Sequence, residues 1–300
     1  MYRALLFSLT CLFSSAVNAI EFKLPDDGSN IVGTIEYYEV EKGESLSDIA
    51  NKFNVGFLAL LAANKDVDPF LPQPGTLLEI PTQVILPNVP HNGVTINLAE
   101  LRLYYFPKDD PSKVYVFPIG IGRVGRETPS MTTSISQKIR HPTWTPTANI
   151  RKEYAAKGVT LPPVVAAGPN NPLGDYAMRL AYGHGEYLIH STNKDFGIGM
   201  RVSSGCIRMN PWDIEWLFPQ IPKGTPVRII NDPLKHTVDK DGSIIVEVHQ
   251  PLSKDEEQLG EFKPVTADDS LIASLGDDNA AKQRLAQELK QQTGIPTVVN

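Results

Sequence analysis

The sequence predicts a mainly β protein, in which a small β-α-α-β module over residues 37–82 precedes a β-rich domain with few helices over residues 93–231. The chain holds 22 Gly and 25 Pro among 300 residues, an excess over average proteins that indicates many turns. From Gly93 onward, β-branched and aromatic runs alternate with Gly, Pro, Asn and Asp, as strands separated by turns do. The length also exceeds one typical domain of about 100–150 residues, so more than one core is expected.

The N-terminus, residues 1–19, has the pattern of a cleaved secretory signal. Arg3 supplies a positive start, residues 4–17 are apolar, and Val17 and Ala19 are the small residues that a cleavage site needs. The apolar run is shorter than the roughly 20 residues that span a bilayer, so no transmembrane segment is predicted. The formal net charge of -6, without a run of Lys or Arg, argues against nucleic acid as a partner.

Within the small module, Ser45 can cap a helix together with Asp48, three residues later, as in a capping box. The next apolar residues recur at helical spacing, and a second apolar helix starts at Phe57. Short strands at 37–40 and 77–80 enclose the pair. The module resembles a LysM domain, a carbohydrate-binding module of cell-wall proteins, whereas a spacer without a ligand is the alternative. The resemblance rests on residues 40–46, 49–50, 64 and 74–81.

The β-rich domain follows a Pro-containing linker over residues 81–90. Its one convincing helix covers residues 211–218, with Asn210 as the N-cap and Pro211 at the first position. The predicted strands are 94–97, 101–106, 114–119, 187–190 and 227–230.

Residues 232–300 are interpreted as an acidic and helical C-terminal extension. The chain becomes acidic and polar beyond Pro251, and a helix is predicted over residues 279–292. No chemistry is visible in this segment.

Cys206 is the candidate nucleophile. The other cysteine, Cys11, lies in the predicted signal, so an exported mature chain has one thiol and no internal disulfide. His190 ends an apolar strand 16 residues upstream of Cys206, and Arg208 follows the cysteine closely. A nearby imidazolium and an arginine charge lower a thiol pKa, so we expect an activated cysteine; a buried packing cysteine is the alternative.

The turn before the cysteine, Ser203-Ser204-Gly205, is built from small residues. Gly205 lets a substrate carbonyl approach the backbone, where amide N–H groups can hold a developing oxyanion. Ser203 and Ser204 lie where a carbonyl or a hydroxyl can orient the second imidazole nitrogen of His190. No cluster of His, Cys, Asp or Glu has metal-ligand spacing, so neither a metal nor another cofactor is predicted.

Two stretches resemble the active-site motif of the YkuD-type L,D-transpeptidases: residues 189–193 (Ile-His-Ser-Thr-Asn) and 196–208 (Phe-Gly-Ile-Gly-Met-Arg-Val-Ser-Ser-Gly-Cys-Ile-Arg). The resemblance implies Cys206 as nucleophile and His190 as general base and acid, with the Ser203 carbonyl orienting the imidazole. It also implies that Arg208 positions the substrate or the turn. Further matches, in order, are residues 118–122, 128–129, 142–147 and 169–174.

The chain departs from the family pattern at two positions. Ser191 stands where many members have Gly, and its hydroxymethyl group is expected to narrow the pocket beside the base. Ser204 stands where many members have His, so His190 is left as the base without a second imidazole. Trp144 and Tyr182 are candidates for lining the substrate groove, with core packing as an equal alternative.

The resemblance implies a cysteine acyltransferase of the periplasm that acts on peptidoglycan stem peptides and needs no cofactor. The acceptor amine is either a lysine of the abundant outer-membrane lipoprotein, as the order of domains favours, or a diaminopimelate side chain that gives a 3-3 cross-link. A non-catalytic wall-binding protein is the rival from another class. The LysM-like module is expected to supply glycan binding, so its removal should leave turnover of small soluble tetrapeptides unchanged.

Overall fold

The computed structural model describes residues 20–26, 28–194, 196–255, 257 and 261–300. The predicted signal, residues 1–19, lies outside the described residues. The described part is mainly β, as predicted, with six helices among its strands. No helix in these ranges is long and apolar enough to cross a membrane.

The N-terminal part contains the predicted β-α-α-β module, flanked by the two strands of one short accessory pair, β2 (Ile31–Val32) and β5 (Val84–Ile85). Ser45 caps the first helix: its backbone N–H donates to Asp48 Oδ2 at 2.9 Å, and its hydroxyl oxygen accepts from the Asp48 N–H at 3.3 Å, which completes the predicted capping box. The elements are β1 Ile20–Lys23, β2 Ile31–Val32, β3 Glu36–Glu39, α1 Leu46–Lys52, α2 Phe57–Ala63, β4 Leu77–Ile80 and β5 Val84–Ile85.

The central domain is built on one nine-stranded sheet, in the order β1-β8-β7-β6-β15-β10-β11-β12-β14, and a short pair of β9 and β13. Its elements are β6 Gly93–Asn97, β7 Arg102–Phe106, β8 Lys113–Pro118, β9 Ile121–Gly122, β10 Met131–Arg140, α3 Ala148–Ala156, β11 Tyr176–Leu180, β12 Leu188–His190, β13 Arg201–Ser203, β14 Ile207–Arg208, α4 Pro211–Gln220 and β15 Pro226–Ile230. The five predicted strands are present to within about two residues.

Six elements of this domain were missed in the sequence: the short strands β9, β13 and β14, and the longer β10, α3 and β11. The ten residues of β10 bury only Ile135, and α3 buries none of its residues, so neither carries the apolar pattern that marks an element. Strand β11 follows a loop rich in Gly, Pro and Asn. The core lies between this sheet and α4, where Ile189, Ile207 and Ile214 are fully buried.

Asn210 begins α4 as predicted, but its side chain does not cap the helix. Its amide instead donates to Asp213 Oδ2 and to Asn54 Oδ1, both at 3.1 Å, and the Asn54 amide donates to Asp213 Oδ1 at 2.9 Å. These three buried polar residues join the N-terminal module to α4. Burial raises the pKa of Asp213 to about 7, although the hydrogen bonds from the two asparagines lower it.

The C-terminal segment folds around a core of its own rather than as a mere extension. The elements are β16 Leu234–Val238, β17 Ile244–Val248, α5 Asp269–Ser274, α6 Asn279–Gln291 and β18 Thr297–Val298. The predicted helix is present as α6. The strands β16, β17 and β18 and the helix α5 were missed, although Asp241-Gly242 between β16 and β17 is a hairpin signal. Val246, Leu271 and Leu285 are among the buried side chains of this core.

A buried cluster of charges fastens this segment to the central sheet. Lys235 Nζ lies 2.9 Å from Glu100 Oε2 and 3.1 Å from Glu247 Oε2. Arg102 Nη1 lies 2.6 Å from Glu247 Oε1, and His249 Nε2 lies 2.7 Å from the same oxygen. Glu100, Glu247 and His249 are close enough to share a metal ion. The ammonium and guanidinium groups already neutralise the carboxylates, so the cluster is an ionic contact between two folded units.

Candidate active site

Strands β12 and β14 place the nucleophile and the base on one face of the sheet. The strands are parallel, with Ile189 opposite Ile207 and His190 opposite Arg208. Both isoleucines are fully buried in the core. Because side chains alternate along a strand, His190 and Arg208 point to the other face, and Cys206, one position before Ile207, lies on that face as well. The structure therefore brings together three of the predicted site residues.

The turn that carries Cys206 is held by hydroxyl groups. Ser203 Oγ accepts from the Gly205 N–H at 3.2 Å and donates to the Cys206 carbonyl at 2.5 Å. Thr128 Oγ1 donates to the Gly205 carbonyl at 2.9 Å. Gly205 has a φ of +106°, a conformation that side chains disfavour. Glycine is required here for the backbone conformation, and Thr128 is a supporting residue that the sequence analysis quoted only within a motif.

The Cys206 thiol is partly exposed and touches the backbone of the preceding turn. Its Sγ lies 3.5 Å from the Glu186 carbonyl oxygen. Burial raises the pKa of Cys206, and this outweighs a backbone hydrogen bond from Leu188 and the charges of Arg208 and Arg179, which lower it. The expected lowering of the thiol pKa is therefore not found, because desolvation of the thiolate is the larger effect.

The His190 imidazole is buried, and its Nδ1 lies 2.5 Å from the Ser191 carbonyl oxygen. A carbonyl only accepts hydrogen bonds, so Nδ1 carries the proton and Nε2 keeps a lone pair. Burial and the Arg208 charge lower the pKa of His190 to about 4, despite the carbonyl contact, which raises it. The resting pair at neutral pH is thus a thiol and a neutral imidazole.

The prediction that the Ser203 carbonyl orients His190 is wrong. That carbonyl accepts the Arg123 N–H at 3.0 Å, because β13 pairs with the β9 region rather than with β12. The Ser191 carbonyl takes the predicted role. Ser191 also does not narrow the pocket: its side chain is buried against Gly174, where an added Cβ would lie 2.6 Å from the Ser191 Cβ.

Arg208 supplies positive charge beside the pair. No carboxylate in the described residues lies within ion-pair distance of its guanidinium, and its buried Nε has no hydrogen-bond partner there. Burial lowers its pKa, while Tyr154 and Cys206 raise it. Its Nη1 lies over Gly197, where an added Cβ would come within 2.9 Å. Such a half-desolvated cation is suited to an anionic group of a substrate.

Three other predicted site residues, Ser204, Tyr182 and Trp144, have no described contact with Cys206 or His190. Ser204 is exposed at the tip of the catalytic turn. Tyr182 is 41% exposed and packs edge-on against Tyr187, 5.7 Å between ring centroids, and the Tyr187 ring borders Gly205. Trp144 pairs through its backbone with Val165 in the loop region before β11, and no described contact links it to the catalytic turn.

A partly exposed cysteine and a neutral histidine anchored by a carbonyl, on one face of a β-rich domain, are typical of thiol enzymes that act on carbonyl substrates. Residues 91–229 match the L,D-transpeptidase catalytic domain family, YkuD, and residues 233–299 match the L,D-transpeptidase C-terminal domain family. Residues 38–81 match the LysM domain family.

The chain is similar to curated proteins over nearly its whole length. It is 50% identical over 297 residues to the Escherichia coli protein "Probable L,D-transpeptidase YcfS", covering 98% of this chain and 92% of that protein. It is 43% identical to "Probable L,D-transpeptidase YbiS" of the same organism, over 96% of this chain and 94% of that protein. The chain belongs to the YkuD family of L,D-transpeptidases and acts on peptidoglycan.

Solved structures of L,D-transpeptidases resemble the chain more distantly. The structure of an Enterococcus faecium L,D-transpeptidase mutant is 19% identical, with a TM-score of 0.37, and covers 53% of this chain and 56% of that one. An L,D-transpeptidase from Mycobacterium smegmatis is 18% identical, with a TM-score of 0.31, over 46% of this chain and 58% of that one.

Proposed function

We propose that the chain transfers an acyl group from a tetrapeptide stem through a thioester on Cys206. The Cys206 sulfur attacks the carbonyl of the third residue while its proton passes to His190 Nε2. The terminal D-Ala then leaves as an amine and takes that proton. The observation that carries this proposal is the buried His190, which is neutral, tethered at Nδ1 by the Ser191 carbonyl, and on the same face as the thiol.

The second half-reaction reverses the proton path. An acceptor amine attacks the thioester carbonyl and gives its proton to His190, which returns it to the departing Cys206 sulfur. A new amide bond forms, and the free thiol is restored. A neutral imidazole can accept and then donate one proton in both halves. Because the pKa of the thiol is raised and that of His190 is lowered, a resting thiolate–imidazolium pair is disfavoured, and the proton moves together with formation of the C–S bond.

The oxyanion of each tetrahedral intermediate needs donors at the catalytic turn. The Gly205 N–H is already bound to Ser203 Oγ. Within the described residues, the Cys206 N–H finds no acceptor, and it borders the attacking sulfur. We therefore assign the Cys206 N–H, rather than that of Gly205, as an oxyanion donor, as in other acyl-transfer enzymes with a donor on the nucleophile's own backbone.

Arg208 binds an anionic group of the stem peptide in this proposal, with Ser204 and Tyr182 at the exposed border of the site. Stem peptides carry carboxylates, and the Arg208 guanidinium lacks a carboxylate partner in the described chain. The LysM module holds the glycan strands to which those peptides are attached. This substrate and the pattern of residues 1–19 support a periplasmic location for the working enzyme.

For the acceptor we favour a lysine of the outer-membrane lipoprotein over a second stem peptide. A lysine side chain is cationic, whereas a stem peptide bears carboxylates, and the chain has a net charge of -6. An acidic enzyme attracts a cationic acceptor over a Debye length of about 8 Å at physiological salt.

Two experiments test these steps. Incubation with a disaccharide tetrapeptide should release D-Ala and give a thioester adduct that intact-mass spectrometry detects. The Cys206→Ser variant should give neither. Adduct formation by the serine variant would exclude Cys206 as the nucleophile. Expression in cells that lack their own L,D-transpeptidases, followed by muramidase digestion, should yield muropeptides that bear the lipoprotein's C-terminal residues. Diaminopimelate-to-diaminopimelate cross-links alone would identify the other acceptor.

A further inference from the structure

A row of three residues crosses the sheet and ends at the nucleophile. Arg179 of β11 is the direct partner of Leu188 in β12. Leu188 adjoins Cys206, because the next positions, Ile189 and Ile207, are partners in the parallel pair. The neighbours Met178 and Ile189 point into the core, so Arg179 lies on the same face as the thiol.

The Arg179 guanidinium fastens the turn that touches Cys206. Its Nη1 donates to the Gly185 carbonyl, and its Nε donates to Gln137 Oε1 at 3.3 Å. The aliphatic part packs on Gly185, where an added Cβ would lie 3.1 Å from Arg179 Cδ. The turn is closed further by the Gly185 N–H, which donates to the Tyr182 carbonyl at 3.0 Å.

This turn supplies the backbone groups around the sulfur. The Glu186 carbonyl oxygen lies 3.5 Å from the Cys206 Sγ. The Leu188 N–H donates a hydrogen bond to the same sulfur. The Glu186 carboxylate is directed back into the turn, where it accepts the His184 N–H at 2.7 Å. Among the described residues, no carboxylate forms an ion pair with the Arg179 guanidinium. Its positive charge lowers the pKa of the Cys206 thiol, as that of Arg208 does, whereas the Glu186 carboxylate raises it.

We propose that Arg179 is a positioning residue for Cys206: it holds the turn 182–186 against the sulfur, and its unpaired charge stabilises the thiolate. This inference rests on the proposed function, in which Cys206 is the nucleophile. Arg179 shares the electrostatic effect with Arg208, whose charge also favours the thiolate. The two arginines differ in position. Arg208 follows Cys206 closely along the chain, in β14, whereas Arg179 lies on β11 and contacts the turn at Gly185.

The test is the pH dependence of Cys206 alkylation by iodoacetamide, followed by intact mass on the chain from residue 20 onward, in which Cys206 is the single thiol. Arg179→Gln should move the midpoint of the rate profile upward by about 1 pH unit, the lower end of what a nearby charge does to a pKa. Arg179→Lys, which keeps the charge, should recover most of that shift.

Arg228→Gln is the matched control. Arg228 lies on β15, three strands away from β12 in the sheet, and its guanidinium likewise contacts a loop carbonyl, that of Pro90 at 3.3 Å. Its alkylation profile should match that of the wild type. An unshifted midpoint in Arg179→Gln, or equal shifts in the Gln and Lys variants, would overturn the role of the charge.

Transpeptidation by the same variants separates this inference from the proposed function. Arg179→Gln should lower tetrapeptide turnover at every pH above the His190 limb near pH 4 without moving that limb, and Arg179→Lys should recover most of the loss. If Cys206→Ser kept its turnover, the proposed function would fail, while the alkylation profile would still report the effect of Arg179 on the thiol.

Discussion

The Leu58 N–H, in the first turn of α2, donates to the Gly199 carbonyl of the central domain at 3.2 Å. The LysM module thus contacts the loop that leads into β13 and the catalytic turn. On its other side the loop is tied to the central domain, because the Gly199 N–H donates to the Ile119 carbonyl at 3.0 Å and Met200 accepts from Ile121 at the same distance. The sequence predicted an independent module, whereas the structure gives it a place beside the active site.

Gly199→Ala should separate the module from this loop. Gly199 has a φ of +68°, and an added Cβ would lie 2.3 Å from both Gly56 Cα and Phe57 N, so backbone must move. We expect a loss of about 1–3 kcal/mol in the free energy of unfolding and reduced turnover of a soluble tetrapeptide. Urea denaturation and a D-Ala release assay measure the two effects.

Gly224→Ala is the control for the backbone strain alone. Gly224 has a φ of +88°, but nothing lies within 4 Å of an added Cβ. This variant should lose stability, but its turnover should fall less than that of Gly199→Ala. Equal turnover in Gly199→Ala and the wild type would show that the module's contact does not reach the active site, as the sequence alone had suggested.

Asp213→Asn should flatten the pH dependence of stability between about pH 4 and pH 7. The folded-state pKa of Asp213 is raised to about 7, so the folded chain keeps a proton that the unfolded chain loses near pH 4. The wild type therefore loses stability as pH rises through this range. The measurement is urea unfolding at several pH values. If the free energy of unfolding of the variant changed with pH as steeply as that of the wild type, groups other than Asp213 would cause the dependence.

Activity should extend to unusually acidic pH. His190 must be neutral to accept the thiol proton, and its pKa of about 4 lies well below that of an ordinary histidine, near 6.5. We expect kcat/KM for a tetrapeptide to fall only as pH drops toward about 4, with folding checked by circular dichroism at each pH. An acidic limb near pH 6.5 would contradict a buried, neutral His190.

Lys235→Met should destabilise the junction of the C-terminal domain. The ammonium is buried between Glu100 and Glu247, so its removal leaves excess negative charge inside the protein. Breaking such a buried pair costs about 3–5 kcal/mol. Lys23→Met is the control, since the Lys23–Asp26 pair is exposed and should contribute about 0–1 kcal/mol. Similar losses in both variants, by thermal or urea unfolding, would count against a buried cluster that joins the domains.

The sequence by itself determined what depends on neighbouring residues and on residue type. The capping box at Ser45 and the strand that ends at His190 follow from local spacing, and both are present. The pairing of a cysteine with a histidine followed from the chemistry that each side chain can perform. These features need no knowledge of distant parts of the chain, which is why they could be predicted.

Only the tertiary structure decided which distant groups surround those residues. Strand pairing sets the Ser203 carbonyl against the β9 region instead of against His190, and it puts Arg179 in the row of Cys206. Burial, which depends on all the surrounding chain, raised the thiol pKa where local charges predicted a lower one. The contact of Leu58 with Gly199 joins parts of the chain 141 positions apart, 199 less 58, and no local pattern encodes it.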